Sequence, residues 1–160
     1  MAIAPGKIGA LMTDNRGRAR RAPKGRGVFL NPDEQLRLEW RCARLIALYA
    51  NLNDEARWEE VAALFAQDGV LLRPTAPDVP IAGREAILAA FRARPARKTR
   101  HVCSNVVIDV DGPARARGVS AMLLYTGDGP PAVGWFRDRF VLTPDGWRFA
   151  ERHGSLSFGG

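Results

Sequence analysis

Histidine and cysteine are scarce in this 160-residue chain, which has only His101, His153, Cys42 and Cys103. Two cysteines do not make a disulfide framework, so a reducing cytoplasm is the expected compartment. No His or Cys residues stand at zinc-ligand spacing, and no metal is expected. No apolar run approaches the ~20 residues that span a bilayer. No charged-then-apolar leader opens the chain, so neither a membrane partner nor secretion is expected. A Gly-rich phosphate loop, a nucleophile elbow and a Cys–His pair at a recognised spacing are also missing. Nucleotide chemistry and covalent hydrolysis therefore lack support, and no cofactor is expected.

Acidic residues are the minority, 17 against 24 basic, for a net charge of +7. Residues 1–26 hold seven basic residues against Asp14 alone, a net of +6. The rest of the chain holds 17 basic and 16 acidic residues, a net of +1. The basicity is thus a property of a tail that has too few apolar groups to order itself. We expect a flexible basic tail over 1–30 and one domain over 31–160. The tail has the charge to touch polyanions without specificity. No aromatic residues interleave its arginines for base stacking, so nucleic acid is not an expected partner.

Apolar residues make up 46% of the chain, enough to build a core without metals or disulfides. Asn31-Pro32-Asp33 offers a helix start. Leu38, Cys42, Leu45, Tyr49 and Leu52 then recur at 4-3-4-3 spacing, which predicts a first helix over 33–52. Asn53 and Asp54 interrupt it, and Trp58, Val61, Ala62 and Phe65 predict a second helix over 55–67 with Asp54 at its mouth. A short strand is expected at 70–73 and a Pro-rich connection at 74–80. A third helix is expected from Gly83 to just before Pro95. The period then changes to two. Strand-like runs follow at 99–109, 115–125, 133–142 and 147–153, separated by turn chemistry such as Asp111-Gly112 and Asp145-Gly146. Helices first and an antiparallel meander after them indicate an α+β fold.

Strict alternation in the run 99–109 places His101, Cys103, Asn105 and Val107 on one face, and Val102, Ser104, Val106 and Ile108 on the other. Neither face is of a charged, solvent type. Helices can cover one, and a second copy of the sheet is the expected cover for the other, as a homodimer or homotrimer.

Several motifs together carry a family likeness: Tyr49-Ala50, Asp54-x-x-x-Trp58, Ala62-x-Leu64-Phe65-x-x-Asp68-Gly69, Gly83-Arg84-x-x-Ile87, Arg100-His101-x-x-x-Asn105 and Asp145-Gly146-Trp147-Arg148-Phe149. Across residues 33–154 the chain resembles the SnoaL-like and scytalone dehydratase-like branch of the nuclear transport factor 2-like superfamily. The resemblance implies a cone, in which a strongly bent antiparallel sheet is closed by three helices around an apolar pocket. It also implies cofactor-free acid–base chemistry such as dehydration, isomerisation or cyclisation. In that pattern an aspartate four residues before a helix tryptophan pairs with a histidine opening a central strand, and Asp54 and His101 occupy those positions. Asn53 stands where the dehydratase has a tyrosine, and 115–125 lacks its second histidine.

His101 and Asp54 are the candidate catalytic pair. A general base needs a pKa near neutrality and a partner on its other ring nitrogen to fix the tautomer. The competing readings are a structural histidine for His101 and a helix N-cap for Asp54. Tyr49, Trp58, Asn105 and Asp138 are the candidate substrate-binding residues. Tyr49 would stabilise oxygen charge and Trp58 would line the pocket. Asn105 would polarise a carbonyl, and Asp138 would face inward between Phe136 and Phe140, with Arg137, Arg139 or Arg152 as partner. His153, expected on the face of Trp147, Phe149 and Glu151, is set aside. The leading functional expectation is an acid–base enzyme acting on a small, apolar, oxygenated, cyclic metabolite. The alternative is a non-catalytic binding or assembly module resembling a dioxygenase small subunit.

Overall fold

The computed structural model describes residues 30–95, 98–127 and 129–158. The basic tail lies outside the described residues, apart from Leu30. Helix α1, Pro32–Asp54, begins at a capping box: the Asn31 side chain accepts from the Glu34 N–H at 2.9 Å, and Glu34 accepts from the Asn31 N–H at 3.2 Å. Cys42, Leu45, Ile46, Tyr49, Ala50 and Leu52 form its buried stripe. The helix outruns the expected 33–52 and includes Asp54 as its last residue.

Helix α2 is only Trp58–Ala63, not 55–67. The chain leaves the helix early because Phe65 and Ala66 enter the core as the start of strand β1, Phe65–Arg73. The Phe149 N–H donates to the Leu64 carbonyl at 2.8 Å as that strand begins. The Pro-rich segment read as a connection is strand β2, Ala76–Ala82. It lies at one edge of the sheet, where Pro77 and Pro80 can withhold donors without breaking a second ladder. Helix α3 spans Arg84–Arg92. Then come β3 Arg100–Val110, β4 Arg115–Tyr125, β5 Ala132–Thr143 and β6 Gly146–Leu156.

One six-stranded sheet results, in the order β2-β1-β6-β5-β4-β3. Every neighbouring pair is antiparallel except β1 with β6, which run parallel, so the sheet is mixed and not wholly antiparallel as expected. The helices pack on its inner face. Tyr49, Val61, Phe65, Ile87, Phe91, Phe136, Phe140 and Phe149 join in one core. Side chains of this size contribute about 1.5–3 kcal/mol each when fully buried.

Two bulges reset the strand faces. In β3 the register with β4 shifts between Ser104 and Val107, and Asn105 sits in left-handed backbone at φ 51°. His101 and Cys103 keep the inward face, and Ile108 and Val110 continue it. Val107, expected beside His101, faces out at 55% exposure. In β6 the register with β5 shifts opposite Arg139 and Phe140. Trp147 and Phe149 point in, and after the bulge so do Arg152 and Gly154. His153 therefore faces out against Trp135, with ring centroids 5.8 Å apart, and leaves the face of Trp147 and Phe149.

Candidate active site

Asp54 stands at the C-terminal end of α1, where the helix dipole opposes a negative charge. It caps no helix: the N-cap of α2 is Arg57, which makes no side-chain capping bond. The carboxylate instead reaches across to the start of β3. Its Oδ1 accepts from the Thr99 hydroxyl at 2.9 Å and lies 2.6 Å from His101 Nδ1. Its Oδ2 accepts from the His101 backbone N–H at 2.8 Å. The Asp54 side chain is only 3% exposed, so these bonds act with little competition from water. Exposed Arg100 approaches at 3.8 Å, too far for a strong pair.

This geometry fixes the imidazole. A carboxylate facing Nδ1 favours the tautomer with the proton there, which leaves Nε2 as the lone pair. Burial lowers the His101 pKa below its ordinary value. The hydrogen bond and charge of Asp54 oppose that shift, while Arg94 and Arg152 add to it. The ring is therefore neutral at pH 7 and able to accept a proton.

His101 lines a concavity of about 100 Å³ together with Asn53, Ala56, Trp58, Arg94, Pro95 and Thr99. Trp58 is held in this wall by stacking on Phe91 at 5.5 Å. Asn53 is buried; its amide donates to the Tyr49 carbonyl at 2.9 Å, and its oxygen accepts from Arg94 at 3.2 Å. The Arg94 guanidinium lies 4.0 Å above the Phe91 ring. Sequence reasoning did not single out Arg94, Thr99 or Asn53 as site residues. Thr99 carried only its proximity to His101, Asn53 its place beside Asp54 in the family pattern, and Arg94 no signal at all.

The other expected site residues are dispersed. Tyr49 lies deeper, edge-on to Phe65, Phe91, Phe136 and Phe149, with centroids 6.0–6.2 Å apart. Burial raises its pKa, so the phenol stays protonated. Asp138 does face inward and pairs with Arg152 Nη1 at 2.9 Å, both side chains wholly buried. Burial pushes the Asp138 carboxyl up to about 6, against the pull of Arg152. Asn105 is exposed at its bulge and does not line the concavity, because the left-handed turn removes it from the face of His101. Among the described residues no three His, Cys, Asp or Glu side chains converge to hold a metal, and no helix is long and apolar enough to cross a membrane.

Comparison with known proteins agrees with this architecture. A Novosphingobium aromaticivorans protein provisionally named scytalone dehydratase is 26% identical over 80% of this chain and 89% of its own, with a TM-score of 0.70. A nuclear transport factor 2-like protein with a cystatin-like fold from the same organism is 25% identical over 85% of this chain and 94% of its own, at 0.71. A Catenulispora acidiphila protein solved in complex with S-DNPA is 27% identical over 76% of this chain and 95% of its own, at 0.61. No curated protein sequence matches this chain. Residues 34–153 match the SnoaL-like domain family, nearly the whole described fold, and the chain belongs to that family.

Proposed function

We propose that this protein is a cofactor-free acid–base enzyme of the dehydratase, isomerase or cyclase type. Its substrate is a small, apolar, oxygenated, cyclic compound. The observation that carries the reading is the 2.6 Å contact between Asp54 Oδ1 and His101 Nδ1 beside a concavity. His101 Nε2 takes a proton from carbon next to a carbonyl. Asp54 holds the ring in register and stabilises the imidazolium that forms, and the same nitrogen returns the proton or passes it to a leaving hydroxyl. Trp58 and Arg94 bound the space in which the substrate ring sits. The SnoaL-like membership and the provisional dehydratase name of one relative support this class of chemistry.

The direct test uses D2O and a panel of cyclic ketones, with α-hydrogen exchange followed by proton NMR. The intact protein should accelerate exchange of at least one ketone. His101→Gln should lose about 100-fold or more of that rate, the usual scale of a positioned general base. Equal exchange by the two proteins would sink the enzyme reading. It would favour the binding or assembly module, for which the close aromatic filling around Tyr49 is the supporting observation. We also propose self-association through the outer sheet face, where Val102, Val107, Val119 and Tyr125 are exposed.

A further inference from the structure

One fully buried charge has no part in the dyad. Arg152 is 0% exposed. Its guanidinium carbon lies 3.8 Å from the Phe136 ring centroid, 4.3 Å from that of Tyr49 and 4.8 Å from that of Phe149. One nitrogen, Nη1, donates to Asp138 Oδ2. The other two, Nε and Nη2, have no hydrogen-bond partner among the described residues. Asp138 Oδ1 and the Ser120 hydroxyl are also buried with no partner among the described residues. They share the inward face: Asp138 lies between Gly118 and Arg152 across the sheet, and Ser120 is the next inward residue of β4 after Gly118.

Unpaired donors on a charged group in an apolar interior are costly, and native folds rarely keep them. The two unpaired nitrogens are not an arbitrary pair. Nε and Nη2 form one edge of the guanidinium plane, the fork that grips two oxygens side by side. Aromatic rings crowd the guanidinium, and its remaining nitrogen is spoken for by Asp138. What is left matches a flat anion with two oxygens. The fork stands close behind the wall of the dyad's concavity: Tyr49, whose ring centroid is 4.3 Å from the guanidinium carbon, accepts at its carbonyl from Asn53 of that wall.

We propose that the Nε–Nη2 edge of Arg152 is a seat for a planar pair of oxygens on the substrate, either a carboxylate or the enolate of a 1,3-dicarbonyl. Resting on the acid–base reading above, this narrows the substrate from an apolar ring to a ring carrying a delocalised two-oxygen anion. Asp138 orients the fork and keeps the guanidinium from sliding out of the aromatic cage. Tyr49 packs against the guanidinium, 4.3 Å from ring centroid to guanidinium carbon, so its ring signals report on the seat.

The test follows the Arg152 Nε–Hε signal of the full chain by NMR, assigned by through-bond correlation from the Arg152 backbone amide. Sodium benzoate probes the carboxylate and cyclohexane-1,3-dione the enolate, with benzamide as the neutral control. At least one anion should move the Arg152 and Tyr49 signals saturably and bind about tenfold or more tighter than benzamide. Benzoate alone would assign a carboxylate, and the dione alone an enolate. Arg152→Lys, which keeps a charge for Asp138, should weaken binding about tenfold because a point charge cannot replace the fork. If that variant fails to fold, the titration of the unaltered protein decides. A fixed Arg152 signal during saturation, or no saturable binding of either anion, overturns the seat. Ketone exchange that needs His101 alongside a fixed Arg152 signal would sink only the seat. A shifting Arg152 signal with exchange indifferent to His101→Gln would sink only the enzyme reading.

Discussion

Two of the described carboxylates face inward, each bonded to a basic side chain, and they are built on opposite terms. Asp54 has donors for both oxygens: the Thr99 hydroxyl and His101 Nδ1 on Oδ1, and the His101 N–H on Oδ2. Among the described residues Asp138 has one, Arg152 Nη1, and its Oδ1 is unpaired. The first carboxylate ties a helix end to a strand start and engages only one of the two imidazole nitrogens. The second lies wholly inside, with a partner that keeps two donors unpaired among the described residues. A satisfied carboxylate makes a rigid orienting group. An incompletely paired ion pair remains costly until something else completes it.

The largest expected effect tests that contrast at the buried pair. Replacing Asp138 by Ala strands the Arg152 charge in the core and should cost about 3–5 kcal/mol in urea unfolding at pH 7, whereas Arg152→Ala should cost less, because the Asp138 carboxyl, already raised to about 6 by burial, escapes by taking up a proton. The double variant Asp138→Leu/Arg152→Met removes both charges at similar volume, and should cost far less than the two single losses added together. If the double variant is as unstable as that sum, the pair is held by packing, and the electrostatic account is wrong.

Asp54→Ala should cost less, about 1–3 kcal/mol, because Thr99 and the start of β3 can recover water for their lost acceptor. Its signature lies in titration. Asp54 raises the His101 pKa against burial, so Asp54→Asn should drive that pKa lower still, read from the imidazole carbon-bound proton shifts. An unmoved pKa would mean the carboxylate does not govern the ring.

The two sites should also give opposite slopes of stability against pH. His101 has a depressed pKa, so its contribution is present above about 6.5, the unfolded value, and is lost as pH falls through the folded value. Asp138 has a raised pKa. Its contribution is present below 3.8, the unfolded value, and is lost as pH rises through about 6. Unfolding free energies between pH 4 and 6.5 should therefore rise more gently with pH in His101→Gln and more steeply in Asp138→Asn. The same change of slope in both variants would remove the distinction between the sites.

The Asp54–His101 contact was legible through the family resemblance, in which an aspartate four residues before a helix tryptophan pairs with a histidine opening a strand. The fold class followed from the switch of period after Pro95. The partner of Asp138 was less legible. Arg137, Arg139 and Arg152 were equal candidates until the bulge in β6 turned Arg152 inward. A period of two carries no mark of the residue at which it slips, and the same blindness misplaced His153, Asn105 and Val107. The edge strand β2 was hidden because its prolines read as a connection, although an edge needs only one ladder of donors. The short α2 was hidden because Phe65 suits a helix stripe as well as a strand.

The smallest predicted effect concerns the residue that keeps the dyad's strand in phase. Asn105 holds φ at 51°, a conformation that asparagine tolerates and branched side chains resist. Asn105→Gly should leave unfolding free energy within a few tenths of a kcal/mol, because glycine adopts this backbone freely. Asn105→Val should cost about 1–2 kcal/mol, and it should also disturb His101. Without the left-handed residue, β3 can pair with β4 evenly only by exchanging its faces beyond Ser104, which would bury Val107 in place of Ile108. The His101 ring signals and the titration of Asp54→Asn would report that strain at the start of the strand. If Asn105→Val lost stability while the His101 pKa stayed put, the bulge would be a local fit to the outer face, and the position of the dyad would be set by the Asp54 contacts alone.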